Sequence, residues 1–347
     1  MTTQRRALCA LAALGLALTA CASPQPEATK DDVVTLVTHD SFYIDPGLLA
    51  DFEARTGLKV EHVTPGDGGA LVNQLILTKD NPLGDVAYGV DSTFASRAVE
   101  EGVFAPYTSQ EPAAADAAAY ALPGDDTLTA IDYSDVCLNV DDTWFAEKGL
   151  TPPSTLEDLL DPAYRDLAVV PAATTSSPGL AFLLATVAAF GEGWPEYWQG
   201  LLDNGLKVVP GWSDAYYTDF TAGGEGERPV VLSYASSPPY TIPEGEERPV
   251  TSALLRTCFR QVEYAGVLAG TDDPEGAGKL VDLLLSEEFQ AGIPESMYVY
   301  PVSSAVELPE DWARWAPLAE EPLSLDPQDV AEHREEWLRQ WSQIVTG

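Results

Sequence analysis

Aromatic and carboxylate side chains gather beside turns in this chain, most densely at Val208 to Tyr217, V-V-P-G-W-S-D-A-Y-Y. Pro210 and Gly211 end an apolar run, and Ser213 or Asp214 can cap the next helix by accepting from its free N–H groups. That leaves Trp212, Tyr216 and Tyr217 beside a turn. A cation over such a ring face gains ~0.5 to 2 kcal/mol, depending on how dry the site is. Taken alone, the stretch reads equally as a core tryptophan at a strand end and as a ligand wall.

Four further loops share this character: Asp40 to Tyr43, Asp91 with Ser92, Ser176 to Gly179, and Ser233 to Ser237. Each follows a strand or opens a helix. The apolar runs Val33–Thr38, Leu58–Val63 and Asp85–Val90 read as strands, with helices over Pro46–Thr56, Ala70–Thr78 and Thr93–Glu101. This β-α-β-α-β-α order predicts a mostly parallel, doubly wound lobe, and open sheets of that kind bind ligands at the carboxyl ends of their strands. Gly66-Asp67-Gly68-Gly69 lacks dinucleotide or P-loop spacing and reads as a turn before a helix.

Two strands are expected to cross between lobes. Thr129–Asn139 carries Asp132, Tyr133 and Cys137 outward, and Phe259–Leu268 returns with Glu263. Between them lie predicted helices over Thr155–Leu160, Leu180–Phe190, Pro195–Leu202 and Tyr216–Thr221, with strands at Leu167–Val170 and Pro229–Ser233. Residues 105–128 read as an irregular excursion. The fold class is therefore α/β with two lobes and a cleft between them. Residues 33–132 with 264–310 form lobe one, and 133–263 with 311–347 form lobe two and the hinge strands.

The start of the chain reads as a lipoprotein leader. Arg5 and Arg6 precede an apolar run, Ala7 to Leu18, and Leu18-Thr19-Ala20-Cys21 is a cleavage box. Residues 1–20 would be removed, Cys21 would carry the lipid, and 21–32 would be a tether on the outer face of the cytoplasmic membrane. An uncleaved anchor is the other reading. The net charge is −37, and losing Arg5 and Arg6 leaves −39. Nucleic acid, which needs a basic footprint, is excluded as a partner. Cys137 and Cys258 have no metal-type spacing, so in an oxidising compartment they read as a disulfide stapling the hinge strands, with free buried thiols as the alternative.

T-H-D-S-F at Thr38–Phe42, G-V-D-S at Gly89–Ser92, S-S-P-G-L at Ser176–Leu180, G-W-S-D-A-Y at Gly211–Tyr216, L-S-Y-A-S-S-P at Leu232–Pro238 and Y-V-Y-P-V at Tyr298–Val302 closely resemble the thiamine-binding proteins of bacterial import systems. The resemblance implies a type II periplasmic-binding fold that takes thiamine, and often its phosphates, and delivers it as a monomer to the permease and ATPase of an ABC importer. It also implies ligand rings held between aromatics, with any phosphate at helix starts and hydroxyls of the far lobe. Tyr298 stands where enteric members carry tryptophan. No cofactor or metal is implied.

The residues suit that ligand. Trp212, Tyr234 and Tyr298 could face the rings of a molecule carrying a permanent thiazolium charge. Two cation–π contacts contribute ~1 to 4 kcal/mol, whereas nanomolar binding needs ~12, so carboxylates must add to them. A unit charge pair at ~4 Å and an effective dielectric constant of ~20 is worth ~4 kcal/mol before desolvation. Asp40 and Asp91 are the favoured carboxylates, because both follow strand ends in lobe one. Asp132 and Glu263 could instead order the hinge. Ser176, Ser177 and the N–H groups after them suit a phosphate, and Ser41, Ser92, Tyr133, Gly179, Tyr216 and Ser237 complete the candidate ligand set.

Three alternatives stay open at this level. The tandem Tyr216-Tyr217 with His39 nearby suits ferric iron, and the acids with the aromatics suit a polyamine. An extracellular hydrolase could use paired carboxylates. Yet the chain has no G-x-S-x-G elbow, no H-E-x-x-H and only His39, His62 and His333 as histidines, so the expectation is a binding protein without catalysis.

Overall fold

The computed structural model describes residues 32–347. The expected leader, Cys21 and the tether to residue 31 lie outside the described residues.

The chain begins with β1 (Val33–His39), α1 (Pro46–Thr56), β2 (Lys59–Gly66), α2 (Gly68–Leu77), β3 (Val86–Asp91), α3 (Ala95–Glu100), β4 (Phe104–Ala105), α4 (Ala113–Ala117) and the long β5 (Thr129–Asp141). It continues through α5 (Asp142–Lys148), β6 (Ala168–Pro171), α6 (Ser177–Phe190), α7 (Trp194–Asp203), β7 (Lys207–Val209), β8 (Val230–Tyr234), β9 (Thr251–Ala253) and β10 (Phe259–Leu268). The last elements are α8 (Pro274–Leu285), α9 (Glu287–Met297), β11 (Tyr300–Pro301), α10 (Glu310–Trp315) and α11 (Pro327–Thr346).

Local chemistry sets these boundaries. Asp45 accepts from Leu48 N at 2.9 Å and Pro46 opens α1, while Gly57 ends it at φ 77°. β3 is buried along its whole length, as a strand covered on both faces must be.

The strands form one sheet in the order β2-β1-β3-β10-β5-β8-β6-β7, with β4 paired to β10 and with β9 and β11 paired to β5. β1 is parallel to β2 and β3, and β6 is parallel to β7 and β8. Two parallel lobes therefore meet at an antiparallel ribbon, β5 with β10, paired from Val136↔Phe259 to Thr129↔Ala265. Its register slips around Glu263 to Ala265, against β5 on one side and β3 on the other. A bulge of that kind bends a strand and re-aims a side chain.

Cys137 and Cys258 are bonded at the lobe-two end of the ribbon, with Cα atoms 4.2 Å apart. The closing helix α11 bridges the lobes. Its Trp341 meets Trp198 of α7 edge-on at 5.5 Å, and its buried Arg334 donates to Thr93 O and Ser96 Oγ at 3.3 and 3.2 Å.

Three local expectations are corrected. The helix expected over Thr155–Leu160 is a single tight turn, Glu157–Leu160, because Asp158 draws the N–H groups of Ser154 and Thr155 onto its carboxylate. The helix expected over Tyr216–Thr221 is a wide turn over Asp214–Asp219, entered earlier as Asp214 accepts from Gly211 N at 3.1 Å. The excursion at 105–128 contains α4.

Candidate functional site

Between the lobes lies a cavity of about 40 Å³, walled by His39, Ser41, Asp67, Gly68, Glu263, Met297 and Val299 of lobe one and the ribbon, and by Ser177, Pro178, Trp212 and Tyr234 of lobe two. The sheet explains the convergence. His39 ends β1, Asp67 and Gly68 join β2 to α2, Ser177 opens α6, Trp212 follows β7 and Tyr234 ends β8.

The two walls touch. Asp67 accepts from Ser177 N at 3.3 Å and from Trp212 N at 2.9 Å, and Ala70 N donates to Thr175 O at 3.1 Å. Ser41 Oγ lies 3.4 Å from Ser213 Oγ, and Ser236 Oγ donates to Tyr298 O at 2.5 Å. A Cβ on Gly68 would stand 2.0 Å from Ser177 Oγ and 3.0 Å from Ser177 Cβ, so any larger residue would have to displace Ser177 in this approach. The conformation is closed. Pockets for small ligands usually enclose ~300 to 1,000 Å³, so the lobes must part to admit one.

The electrostatics are those of a site short of positive charge. Glu263 lies 3.6 Å from His39 Nε2, and the Tyr88 hydroxyl lies 2.5 Å from Asp132 Oδ2 and 3.2 Å from Glu263 Oε2. Burial and the Glu263 carboxylate push Asp132 well up from the usual range, favouring its protonated form. Burial also opposes charge on Glu263, but His39 and the surrounding hydrogen bonds hold it below its ordinary value. Asp91 is raised to about 6, chiefly by burial. Its Oδ1 takes both the N–H and the hydroxyl of Thr93, and the nearby Ser177 hydroxyl also favours its charged form. Ser177 Oγ and His39 Nε2, both on the cavity wall, are buried with no close hydrogen bond, facing Asp91 and Glu263 respectively. Such loosely held polar atoms on a cavity wall are what a polar ligand would satisfy.

The sequence-predicted residues divide into three groups. Ser41, Ser177, Trp212 and Tyr234 line the cavity, and Glu263, expected in the hinge, does so too. Others stand behind the lining. Tyr216 is buried and stacks on Trp212 with centroids 5.0 Å apart, and its hydroxyl has no partner. Ser176 caps α6 by accepting from Gly179 N at 3.4 Å, and a Cβ on Gly179 would stand 2.5 Å from Ala172 O. Ser237 Oγ accepts from Tyr234 N at 3.1 Å, shaping the loop, and Asp91 and Asp132 lie beside Glu263 in the sheet.

The third group lies off the cavity wall. Asp40 is exposed. Ser92 is tied to Val262 of β10 by bonds of 2.8 and 3.3 Å. Tyr133 stacks between Tyr120 and Tyr300, and Tyr298 packs on Tyr240 and Trp312 at φ 55°. Sequence reasoning missed Asp67, Gly68, Pro178, Met297 and Val299. Asp67 follows a strand end of lobe one, the same signal that favoured Asp40 and Asp91.

A sequence profile described as "Bacterial extracellular solute-binding protein" matches residues 81–238. The thiamine-binding periplasmic protein of Escherichia coli K12 is 31% identical over 322 residues, covering 90% of this chain and 94% of that protein. A solved structure described as a periplasmic thiamin binding protein superposes with a TM-score of 0.79 at 30% identity, over 92% of this chain and 98% of that one. A ferric binding protein from Campylobacter jejuni shares the fold, with a TM-score of 0.69 at 17% identity over 90% of this chain and 99% of its own.

Proposed function

Because the chain belongs to the family of bacterial thiamine-binding periplasmic proteins, a branch of the extracellular solute-binding proteins, we propose that it captures thiamine between its lobes and hands it to an ABC importer. The observation that carries this reading is the make-up of the cavity wall. An indole and a phenol, Trp212 and Tyr234, face the same cavity as the carboxylates of Asp67 and Glu263. Aromatic faces and anionic oxygens are what an aminopyrimidine joined to a thiazolium requires.

Roles follow from position. Trp212 and Tyr234 stack on the rings, and Tyr216 backs Trp212. Glu263 and Asp91 supply negative charge for the thiazolium. Ser177, at the start of the 14-residue α6, offers a hydroxyl and helix N–H groups to the hydroxyethyl end or to a phosphate. Cys21, once lipidated, holds the protein on the outer face of the cytoplasmic membrane, where closed lobes meet the permease. Binding without turnover is expected. Lobe closure favours uptake to the extent that the ligand binds the closed form better.

The test is a titration of the purified protein with thiamine, thiamine monophosphate and thiamine diphosphate, followed by tryptophan fluorescence and calorimetry. Saturable sub-micromolar binding, weakened roughly two- to thirtyfold by Trp212→Ala as loss of one cation–π face implies, supports the reading. Absence of binding for all three, with a visible phenolate band on adding ferric ion, replaces it with iron binding. Hydrolysis of a thiamine ester would replace it with catalysis.

A further inference from the structure

His39 stands in the cavity wall with one nitrogen bonded and the other free. Its Nδ1 accepts from Ser41 N at 3.2 Å, an arrangement that suits the neutral ring. Its Nε2 is buried without a hydrogen-bond partner, 3.6 Å from Glu263 Oε2. Among the described residues, His39 is the only basic side chain within ion-pairing distance of Glu263. The site thus holds an imidazole that can be kept neutral by Ser41 or charged by its carboxylate neighbour.

The groups around the ring come from five elements. Glu263 reaches it from β10, Asp67 from the start of α2, Asp40 from the loop after β1, Tyr88 from β3 with its ring centroid 5.6 Å away, and His62 from β2. Burial disfavours charge on His39, but Glu263, Asp67 and Asp40 outweigh it and raise the pKa above the ordinary 6.5. The same charge, added to burial, lowers His62.

Resting on the thiamine reading, we propose that the His39 imidazolium stands in the empty cleft for the ligand's own positive charge, and that a permanent cation binding beside Glu263 expels its proton. Ligand and proton compete for one carboxylate. The site holds a single excess cation before and after: the ring loses H⁺ to solvent as the thiazolium arrives, and no covalent bond other than N–H changes. Neutral His39 then accepts from Ser41 N through the Nδ1 that gave up its proton, and offers a flat face to the ligand. Proximity reinforces the competition, since His39 and Glu263 line the same cavity and a cation seated at Glu263 would face the charged ring at short range.

Proton linkage gives the signature. Below the His39 pKa the affinity for thiamine falls by up to about tenfold per pH unit, and about one proton leaves per ligand bound; above it both effects vanish. The experiment is calorimetry of the purified full chain with thiamine at pH 6, 7 and 8, in buffers of low and high ionisation enthalpy. The expected result is proton release that is largest at pH 6 and that a folded His39→Gln variant loses at pH 7, where Asp91 is already mostly ionised, keeping at pH 6 only the fraction Asp91 contributes. If that variant does not fold, Glu263→Gln serves, because without the carboxylate the charged ring is not held. Heats independent of buffer in the wild type overturn the inference. Undiminished proton release in His39→Gln also overturns it, placing the proton on Asp91, Asp132 or Asp67. Failure of the folded wild type to bind thiamine at any pH overturns the thiamine reading itself, and the inference with it.

Discussion

Asp67 accepts a 2.9 Å hydrogen bond from the backbone N–H of Trp212, so the residue that starts α2 in lobe one is fastened to the loop presenting the cleft's tryptophan in lobe two. The second oxygen takes Ser177 N at 3.3 Å. These bonds to a carboxylate hold the lobes together with no ligand between them. Hydrogen bonds to charged groups are worth ~1.5 to 3 kcal/mol each. Asp67→Ala is therefore expected to shift the ligand-free protein toward an open form, read as a larger radius of gyration by small-angle scattering. An unchanged radius would show that Asp67 does not govern closure.

Gly68 tests the closed geometry from the other side. Because its Cβ would meet Ser177 Oγ at 2.0 Å and Ser177 Cβ at 3.0 Å, Gly68→Ala is expected to displace Ser177, hinder full closure and weaken ligand binding roughly tenfold. Alanine favours a helix start over glycine, so thermal stability should hold or rise slightly. Unimpaired binding by this variant would mean that the ligand-bound lobes stand farther apart than these.

Asp91 stores free energy that a ligand can release. Its folded pKa of about 6, against an ordinary 3.8, means that the native state binds the proton more tightly than the unfolded chain. Its contribution is present below pH 3.8 and lost as the pH rises through about 6. The shift corresponds to about 3 kcal/mol. Asp91→Asn is expected to stabilise the ligand-free protein by roughly that amount in urea melts at pH 7.5, with the advantage gone near pH 4, and to bind a cationic ligand less well. Equal stability at both pH values would contradict this.

The disulfide joins residues 121 apart in sequence. By the loop-entropy argument a closed loop of that size contributes ~4 to 5 kcal/mol, and native bridges typically give 2 to 5. Cys137→Ser with Cys258→Ser should lower the denaturation midpoint correspondingly, with binding retained in the folded fraction. A midpoint shift worth less than ~1 kcal/mol would indicate a denatured state already compact between these positions.

Fold class was legible because the strands are apolar runs bounded by turns, and Phe259–Leu268 was located to the residue as β10. Trp212, Tyr234 and Ser177 were legible as cavity residues for a related reason, each sitting just beyond such an element. Asp67 was not, because a glycine-flanked acid before a helix has a sufficient local explanation as a cap, and its partners lie 110 and 145 positions away. Asp40 shows the converse. It follows a strand end as Asp91 does, but the turn after β1 directs it to solvent, and alternation along the strand cannot register that direction.

The bulge around Glu263 to Ala265 lies where the ribbon passes from one lobe to the other, while the disulfide stiffens its lobe-two end. If the lobes part about this bulge, Glu263 sits at the pivot, where there is no lever arm, whereas Ser177 and Trp212 belong to the far lobe. An arriving cation would then meet a stationary counter-charge first and a moving aromatic wall second.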